Sequence, residues 1–388
     1  MLKVKISLFR LSVSTREKIK DLVFHQQNRI NHHSIETVKI EKTIGCYGSP
    51  RWKNIQEFAN NQSYPFLHWK HPAETIYRYH LKDITLDVYH MVYFKQNRVI
   101  TNSNYYLSEN LLNSIHIQLD KLIDARDQGA VFCCSDHWEN NYFHWMMHAI
   151  PAYYAAMQSG IKAKFLLPYP LMLWRKRSLE LLGLDLSMCY PIEKEKQYRF
   201  SEFYYFDYLS QKFGYSCSKL SEQAYVKMKQ NAVVSIQSIA KYDKIYISRV
   251  NKNNRHLPNE EKLVEALEKR GYFILNPELY SLDEQIMLFH YAKIVVGLLG
   301  AGLSNIVFCQ KDTLIYELIP SHHINPCFLV LSLQSGLRYW ADQFDSGVDH
   351  GAPDHLSAWE KPIDVAFVMK RLDELEPYMR SVDNAVVK

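Results

Sequence analysis

The stretch Lys-Ile-Val-Val-Gly-Leu-Leu-Gly-Ala-Gly-Leu-Ser-Asn, residues 293–305, decides how the fold of this chain is interpreted. Its apolar, β-branched run at 294–296 is typical of a buried parallel strand. Gly297, Gly300 and Gly302 follow within six residues, and the chain then reads as the start of a helix. Because unpaired N–H groups and the helix dipole both attract phosphate, this order favours an anion site. Alternatively, the glycines only allow close helix–sheet packing, since their spacing matches neither the dinucleotide fingerprint nor a Walker loop.

The composition indicates a globular protein with two domains. The chain has 388 residues, 47% hydrophobic and 22% charged, and a single core rarely serves more than about 300 residues. A net charge of +5 permits an anionic ligand or a membrane surface but does not indicate a nucleic-acid partner. No apolar run is long enough to span a membrane. Seven irregularly spaced cysteines and an N-terminus without a signal-peptide pattern predict reduced thiols in a cytoplasmic protein.

Strands and helices alternate before and after a polar helix predicted at 221–239, which we interpret as a bridge between the two domains. The first series has predicted strands at 130–134, 164–167 and 203–206 and predicted helices at 107–124, 142–158 and 171–182. The second series has predicted strands at 244–248, 272–276, 293–297, 313–317 and 328–331. Its helices begin after Asn259, a predicted N-cap, and at the capping box formed by Ser281 and Glu284.

Such alternation predicts an α/β fold, with two units of parallel sheet facing a cleft. Short strands predicted between residues 74 and 101 add a mixed, β-rich N-terminal extension, and a last helix is predicted at 364–379. In open α/β sheets, ligands bind at the carboxyl ends of the strands. The residues that follow the predicted strands are therefore the candidates for function.

The strand ends of the second unit carry groups suited to a nucleotide diphosphate. Arg249 and Arg255 follow the strand at 244–248, and the glycine loop follows the strand at 293–297. Glu317 ends the strand at 313–317. Guanidinium groups match phosphate oxygens, and a carboxylate can accept hydrogen bonds from ribose. The sequence contains no Asp-x-Asp triplet that would hold a divalent ion. We therefore expect no metal and no cofactor, with cationic side chains in the place of an ion.

The first unit offers titratable groups in residues 136–148, where His144 and His148 are four apart and hence on one helical face. A zinc pair is one interpretation, but the metalloprotease motif requires glutamate at position 145, which is Trp145 here. A second interpretation is that both histidines are hydrogen-bonded core residues. The third is a general base at the cleft, because histidine titrates near neutral pH.

A set of short motifs in this order resembles glycosyltransferase family 61. The motifs are Asn-Tyr-Phe-His-Trp (141–145) with Pro151, Tyr-Ile-Ser-Arg (246–249), Arg255, Asn259-Glu260, Glu284-Gln285, Gly297, Gly-Ala-Gly-Leu-Ser-Asn (300–305), Phe308 and Glu317-Leu318. The resemblance extends over about residues 75–345 and is specific over 244–318. The sequence differs from the family pattern at two positions: Leu299 stands where the family usually has histidine, and His148 where it usually has aspartate.

The resemblance implies a GT-B fold and an inverting, metal-independent transfer from a nucleotide sugar, commonly a UDP-sugar. The implied acceptor is a glycan or a lipid-linked oligosaccharide in bacterial capsular polysaccharide synthesis, at the inner face of the membrane or free in the cytoplasm. The family's arginine falls on Arg249 and its glycine-alanine-glycine loop on residues 300–302. Together with the strand-end residues, this predicts donor binding by Arg249, Arg255, Gly300, Ala301, Gly302, Leu303, Ser304, Asn305 and Glu317. As general base we predict His148 or, failing it, Glu139 or His144.

The domain boundaries predicted from this resemblance and from the alternation are 1–220 for the acceptor side, 221–363 for nucleotide-sugar binding and 364–388 for a C-terminal helix. Two alternatives remain open. Because of Leu299 and His148, the chain could be a nucleotide-sugar-binding subunit without catalysis. A Rossmann dehydrogenase would place Glu317 on the ribose, but its glycines belong in the first strand–helix turn.

Overall fold

The computed structural model describes residues 31–38, 74–95, 98–100, 107, 109–137, 139–206, 209, 218–235, 240–250, 255–325, 327–348 and 357–383. The rest of the predicted N-terminal extension lies outside the described residues. Within them the chain is α/β, as predicted, with two separate sheets. None of the helices in these residues is both long and apolar enough to span a membrane.

The first sheet is mixed and has nine strands. The strands are β1 (Asn31–Val38), β2 (Glu74–Asp87), β3 (Val92–Lys95), β4 (Arg98–Val99), β5 (Leu122–Asp124), β6 (Ala130–Cys133), β7 (Lys164–Tyr169), β8 (Cys189–Glu193) and β9 (Gln197–Phe206). Strands β9, β6, β7 and β8 lie side by side in that order and are parallel, and β5 adds a short parallel pairing to β9. The N-terminal strands β1 to β4 pair antiparallel and join the sheet through the pairing of β2 with β9.

The second sheet is entirely parallel, with strand order β11-β10-β12-β13-β14. The strand that decides the fold, β12, is central in it and every one of its residues is buried. Helices connect the strands, as a parallel sheet requires. The strands are β10 (Lys244–Ile247), β11 (Phe273–Leu275), β12 (Ile294–Leu298), β13 (Leu314–Pro320) and β14 (Arg338–Phe344).

The helices follow the predicted order, with one unusual element. The second, α2, comprises α-helical Tyr142–His144, a π-helical turn Trp145–Ala149 and α-helical Ile150–Gln158. A 3₁₀ helix, Ala301–Phe308, follows β12. The other helices are α1 (Glu109–Ser114), α3 (Leu173–Leu182), α4 (Lys219–Ser235), α5 (Glu260–Lys269), α6 (Leu282–Tyr291), α7 (Cys327–Gln334) and α8 (Val365–Asp383).

The helix predicted at 107–124 is wrong beyond Ser114. Residues 115–118 have no regular structure, and Leu122–Asp124 is a strand paired with β9. Gln197, which is buried, explains the difference. Its side-chain oxygen accepts a hydrogen bond from the Gln118 N–H at 2.7 Å, and its Nε2 donates to the His116 carbonyl at 2.9 Å. These contacts satisfy backbone groups that a helix would otherwise pair.

The strand predicted at 328–331 is also wrong, because these residues lie in α7. A short apolar run cannot be assigned to strand or helix from periodicity alone. The signal for a helix stands just before it, since the Asn325 side chain accepts a hydrogen bond from the Cys327 N–H at 2.9 Å, as a helix cap does. The sequence also missed strands β1, β5, β8 and β14.

The two predicted helix caps have different outcomes. Ser281 and Glu284 form the predicted capping box in α6, with both reciprocal hydrogen bonds present. Asn259 precedes α5 but makes no side-chain cap. Its amide instead exchanges hydrogen bonds with the backbone of Ile363, donating to the carbonyl at 2.8 Å and accepting from the N–H at 3.1 Å. The predicted side-chain cap is therefore wrong, because Asn259 ties α5 to the segment before α8.

The two sheets share one hydrophobic core. A continuous cluster of buried side chains runs from β6 and α2 through α4 and α6 to the 3₁₀ helix 301–308. Helix α4 contacts both units: Tyr225 donates to the Met146 carbonyl at 2.8 Å, and Ser235 donates to Asp283 in α6. The predicted bridging position of this helix is thus confirmed. Helix α8 packs on the far side of the second sheet, through Val368, Leu372 and Leu375.

Candidate active site

Arg249 lies directly on the glycine loop. A Cβ atom built on Gly300 would stand 2.3 Å from Nη1 of Arg249, far inside van der Waals contact. The φ angle of Gly300 is 178°, extended backbone that any residue adopts, so glycine is required here for space. Strands β10 and β12 are hydrogen-bonded neighbours, and their carboxyl ends therefore bring Arg249 and the loop together. Gly300, which precedes the 3₁₀ helix 301–308, has no side chain with which to cap it, and the first N–H groups of a helix have no partner within the helix.

Arg255 is the second guanidinium beside this loop. Its Nη1 donates to the Leu299 carbonyl at 2.9 Å, and its backbone has a φ of 54°, in the left-handed region. Burial, and then the neighbouring Arg249 charge, lower the pKa of Arg255 to about 10. Burial also lowers the pKa of Arg249. Two partly buried cations that repel each other would gain from an anion placed between them.

Glu260 fixes the connection that carries Arg249. This carboxylate is 1% exposed, and its Oε1 accepts hydrogen bonds from the Arg249 N–H, the Tyr246 hydroxyl and the Ser248 hydroxyl. The Tyr246 and Ser248 bonds measure 3.0 and 3.2 Å. Glu260 is the first residue of α5, and its hydrogen bonds lock the start of that helix to the end of β10.

Four of the predicted donor-binding side chains are buried. Glu317 has no exposed surface, and the Tyr339 hydroxyl donates to its Oε2. Its Oε1 has no hydrogen-bond partner within the described ranges, and burial raises its pKa to about 8, against the opposing charge of Arg255. Leu303, Ser304 and Asn305 are at most 1% exposed. Surface on this loop belongs to Ala301 and Gly302, beside the two arginines.

The first unit places two histidines on one carboxylate. Nδ1 of His148 lies 2.7 Å from Oδ2 of Asp136, and Nδ1 of His144 lies 3.3 Å from the same oxygen. Burial would raise the pKa of Asp136, but its contacts with the two histidines outweigh burial and hold the pKa below the usual range. Burial lowers the pKa of His144, against the hydrogen bond to Asp136. His148 is 1% exposed, whereas the His144 side chain is 14% exposed.

The wide turn of α2 sets this geometry. His144 ends the first α-helical segment and His148 lies in the π-helical turn, which places their ring centroids 4.8 Å apart. Turns of this kind occur frequently at functional sites. Ligand atoms of Asp136, His144 and His148 all lie within 4.8 Å of one another, so these residues could also hold a metal ion. The structure is thus compatible with the base interpretation and with the metal interpretation.

Glu139, the other candidate base, lies on the loop after β6 that also carries Asp136. Its N–H donates to the Asp136 carbonyl at 3.3 Å. Burial raises the pKa of Glu139 to about 7, although Arg175 opposes the shift. Oε1 of Glu139 lies 3.7 Å from Nη1 of Arg175, an ion pair too long for a hydrogen bond.

The two groups of candidate residues meet across the contact between the units. The Tyr142 hydroxyl at the start of α2 donates to the Asn305 side chain, which in turn donates to Gln285 at 3.0 Å. Next to this chain, the Phe143 ring lies 5.8 Å from Phe328 of α7, and its centroid is 5.9 Å from that of His144. The histidines and the glycine loop therefore lie on two sides of one packed contact.

Sequence reasoning missed three residues of this site, Asp136, Arg175 and Glu260. Asp136 was counted only among the titratable groups of residues 136–148, and Glu260 only as part of the Asn259-Glu260 motif. Arg175 lies inside a helix with no feature that distinguishes it from a surface arginine. A useful signal would have been the position of Asp136 just after β6, since side chains at such strand ends converge.

Comparison with known proteins agrees with the motifs. The family model described as Glycosyltransferase 61 matches residues 142–316, a range that holds α2, both arginines and the whole glycine loop. A comparison with curated proteins found no match. Enzymes of a glycosyltransferase family act on a sugar donor and an acceptor. The resemblance seen in the sequence is therefore confirmed: residues 142–316 match the model of glycosyltransferase family 61.

Proposed function

We propose that this protein is an inverting, metal-independent glycosyltransferase that transfers a sugar from a nucleotide diphosphate sugar, with UDP as the nucleotide, to an acceptor saccharide. The observation that carries the proposal is the guanidinium of Arg249 on Gly300, at the start of the 3₁₀ helix 301–308. Arg255 adds a second cation next to it. A diphosphate placed here would receive charge-assisted hydrogen bonds from both arginines and hydrogen bonds from backbone amides.

The proposed reaction is a single displacement at the anomeric carbon. A base removes the proton of the acceptor hydroxyl while the oxygen attacks, and the bond from the anomeric carbon to the diphosphate oxygen breaks on the opposite face. Negative charge grows on the departing diphosphate, where the fixed positive groups stabilise it without a metal ion. Inversion follows because attack and departure occur on opposite faces of the sugar.

His144 becomes the first candidate for the base, ahead of His148. Both face Asp136, but His144 retains exposed surface, and a base must reach the acceptor hydroxyl. With Nδ1 donating to Asp136, Nε2 is the basic nitrogen of the ring. Asp136 would then hold the imidazole in place and stabilise its protonated form, as carboxylates do in hydrolase triads. Glu139 remains a further candidate on the same loop.

The direct contact between Glu317 and ribose that the sequence predicted has to be revised. Because Glu317 is fully buried, its carboxylate reaches a ligand only if neighbouring groups move. We propose instead that Glu317 acts from beneath Arg255, as a buried group whose charge state affects that arginine.

A GT-B arrangement with boundaries at 220 and 363, a cytoplasmic location at the membrane and a role in bacterial capsule synthesis complete the proposal.

The test is UDP release from UDP-sugars in the presence of a chelator. We expect turnover to survive the chelator, and Arg249→Ala to lose most of it while unfolding at an unchanged temperature. Turnover that disappears with chelator and returns with manganese would contradict the metal-free reaction. Near-native turnover of Arg249→Ala would exclude the proposed diphosphate contact.

A second candidate, a nucleotide-sugar-binding subunit without catalysis, is favoured by one observation. The Leu299 side chain, where the family usually has histidine, is 3% exposed and offers no hydrogen bond to a donor. This candidate predicts thermal stabilisation by UDP without turnover on any acceptor. Appearance of activity in Leu299→His combined with His148→Asp would support it.

A further inference from the structure

A chain of side-chain hydrogen bonds crosses the contact between the two units. The Tyr142 hydroxyl, at the start of α2, donates to Oδ1 of Asn305 at 2.5 Å, and Nδ2 of Asn305 donates to Oε1 of Gln285 in α6 at 3.0 Å. Nε2 of Gln285 in turn donates to two backbone carbonyls, those of Pro277 and Tyr280, at 2.8 and 3.0 Å. We call Tyr142, Asn305 and Gln285 the cross-unit tie.

The two carbonyls fix the direction of every bond in the cross-unit tie. Because a carbonyl can only accept, Gln285 must turn its amide NH₂ toward both of them and its oxygen toward Asn305. Asn305 must then turn its own NH₂ toward Gln285 and its oxygen toward Tyr142. The Tyr142 hydroxyl is therefore the donor, and Asn305 has both ends of its amide bonded within the protein. Since Asn305 is also fully buried, its side chain reaches a sugar donor only if its neighbours move.

The cross-unit tie connects the two groups of residues that form the proposed site. At one end, Asn305 belongs to the 3₁₀ helix 301–308, whose start is the glycine loop. At the other end, Tyr142 stands two residues before His144 in the same short α-helical segment, which the Asn141 side chain caps. The bond between Tyr142 and Asn305 therefore sets where the His144 ring stands relative to the glycine loop.

From this connection we infer that Tyr142 is a positioning residue for the proposed reaction. Through Asn305 it holds the imidazole of His144 at a fixed place relative to a donor on the glycine loop. The base and the donor belong to different units, and a displacement at the anomeric carbon requires both in the correct geometry at once. A misplacement of about 1 Å can lower such a rate roughly 100-fold. The inference rests on the proposed glycosyltransferase function, because His144 is the first candidate for its base.

The test is Tyr142→Phe, which removes the hydroxyl but keeps the ring that packs on Trp174. We expect kcat for UDP release, measured with the UDP-sugar that the wild-type protein turns over fastest, to fall roughly 10- to 100-fold. The KM for this UDP-sugar and the affinity for UDP should stay within about twofold of wild type, because no contact with the donor is lost. In a His144→Ala background the same substitution should cause no further loss of kcat, because the group that Tyr142 positions is gone.

The control is Tyr153→Phe, the same substitution in the same helix. The Tyr153 hydroxyl donates to the Leu166 carbonyl at 2.8 Å, within the first unit. This variant therefore also loses a hydrogen bond and some stability, but it should keep the kcat of the wild type. Thermal unfolding of both variants measures the stability that each has lost.

Four outcomes would overturn the inference: an unchanged kcat in Tyr142→Phe, an equal loss of kcat in Tyr153→Phe, a rise in KM in place of the loss of kcat, or a full further loss in the His144→Ala background. Failure of the proposed function is a different result, because it shows in the wild-type protein as an absence of UDP binding or of turnover, and it removes this inference as well. Failure of this inference alone shows as wild-type turnover that Tyr142→Phe leaves unchanged.

Discussion

The substitution Gly300→Ala tests the contact on which the proposed donor site depends. The new methyl group would stand 2.3 Å from Nη1 of Arg249, so the guanidinium must move away from the loop. The backbone at residue 300 is extended and accepts alanine, and the atom that must move is the end of a flexible side chain. We therefore expect the free energy of unfolding to change by less than about 1 kcal/mol.

The expected effect on UDP binding is much larger. A hydrogen bond to a charged group contributes about 1.5 to 3 kcal/mol, so displacement of Arg249 should weaken UDP binding roughly 10- to 150-fold. Titration calorimetry with UDP measures this loss, and a thermal unfolding curve of the same sample shows whether the fold is intact.

A double-mutant cycle identifies the cause. If alanine at 300 acts only by moving the guanidinium, then Gly300→Ala in an Arg249→Ala background should have no further effect on UDP affinity. Two outcomes would refute the reasoning. The first is wild-type affinity in Gly300→Ala. The second is a double variant whose losses simply add, which would mean that the methyl group blocks the ligand directly.

Three other substitutions test the remaining structure. Asp136→Asn should lower kcat roughly 100- to 10,000-fold, because the histidine loses its orienting carboxylate, while UDP affinity stays the same; an unchanged kcat would exclude Asp136. Glu317→Gln should become more stable relative to wild type as pH rises from 5 to 8, because the buried carboxyl has its pKa raised to about 8 and retains a proton that the unfolded chain releases near its ordinary value. Urea unfolding at pH 5, 6.5 and 8 checks this, and a pH-independent difference would contradict it. Ser281→Ala should cost about 1 kcal/mol through loss of the capping box, and a loss below a few tenths would mean that the cap is dispensable.

The sequence allowed the closeness of Arg249 and the glycine loop to be predicted, because strand order and strand ends are simple. Arg249 follows β10 and the glycine loop follows β12, and two neighbouring parallel strands leave their carboxyl ends on one edge. Glu317 also ends a predicted strand, but sequence position does not reveal the direction of its side chain. Every residue of β13 is buried, so no alternation distinguishes a side chain facing the ligand from one facing the core.

The cluster of Asp136, His144 and His148 was harder to predict because it depends on tertiary contacts. Asp136 is a single aspartate in a polar loop, and only the π-helical turn of α2 brings both histidines to it. The error at α7 has a related cause, since an apolar run buried by its neighbours has the same composition in a helix and in a strand.

The shared core has a consequence for how the protein can be divided. Because the buried cluster runs without interruption from β6 to the 3₁₀ helix 301–308, a cut at the predicted boundary near residue 220 would leave apolar surface exposed on both fragments. Tyr225, bonded to the Met146 carbonyl, would be separated from its acceptor by the same cut. The described parts of the two units therefore depend on each other to fold, and neither fragment is expected to be a stable, independently expressed protein.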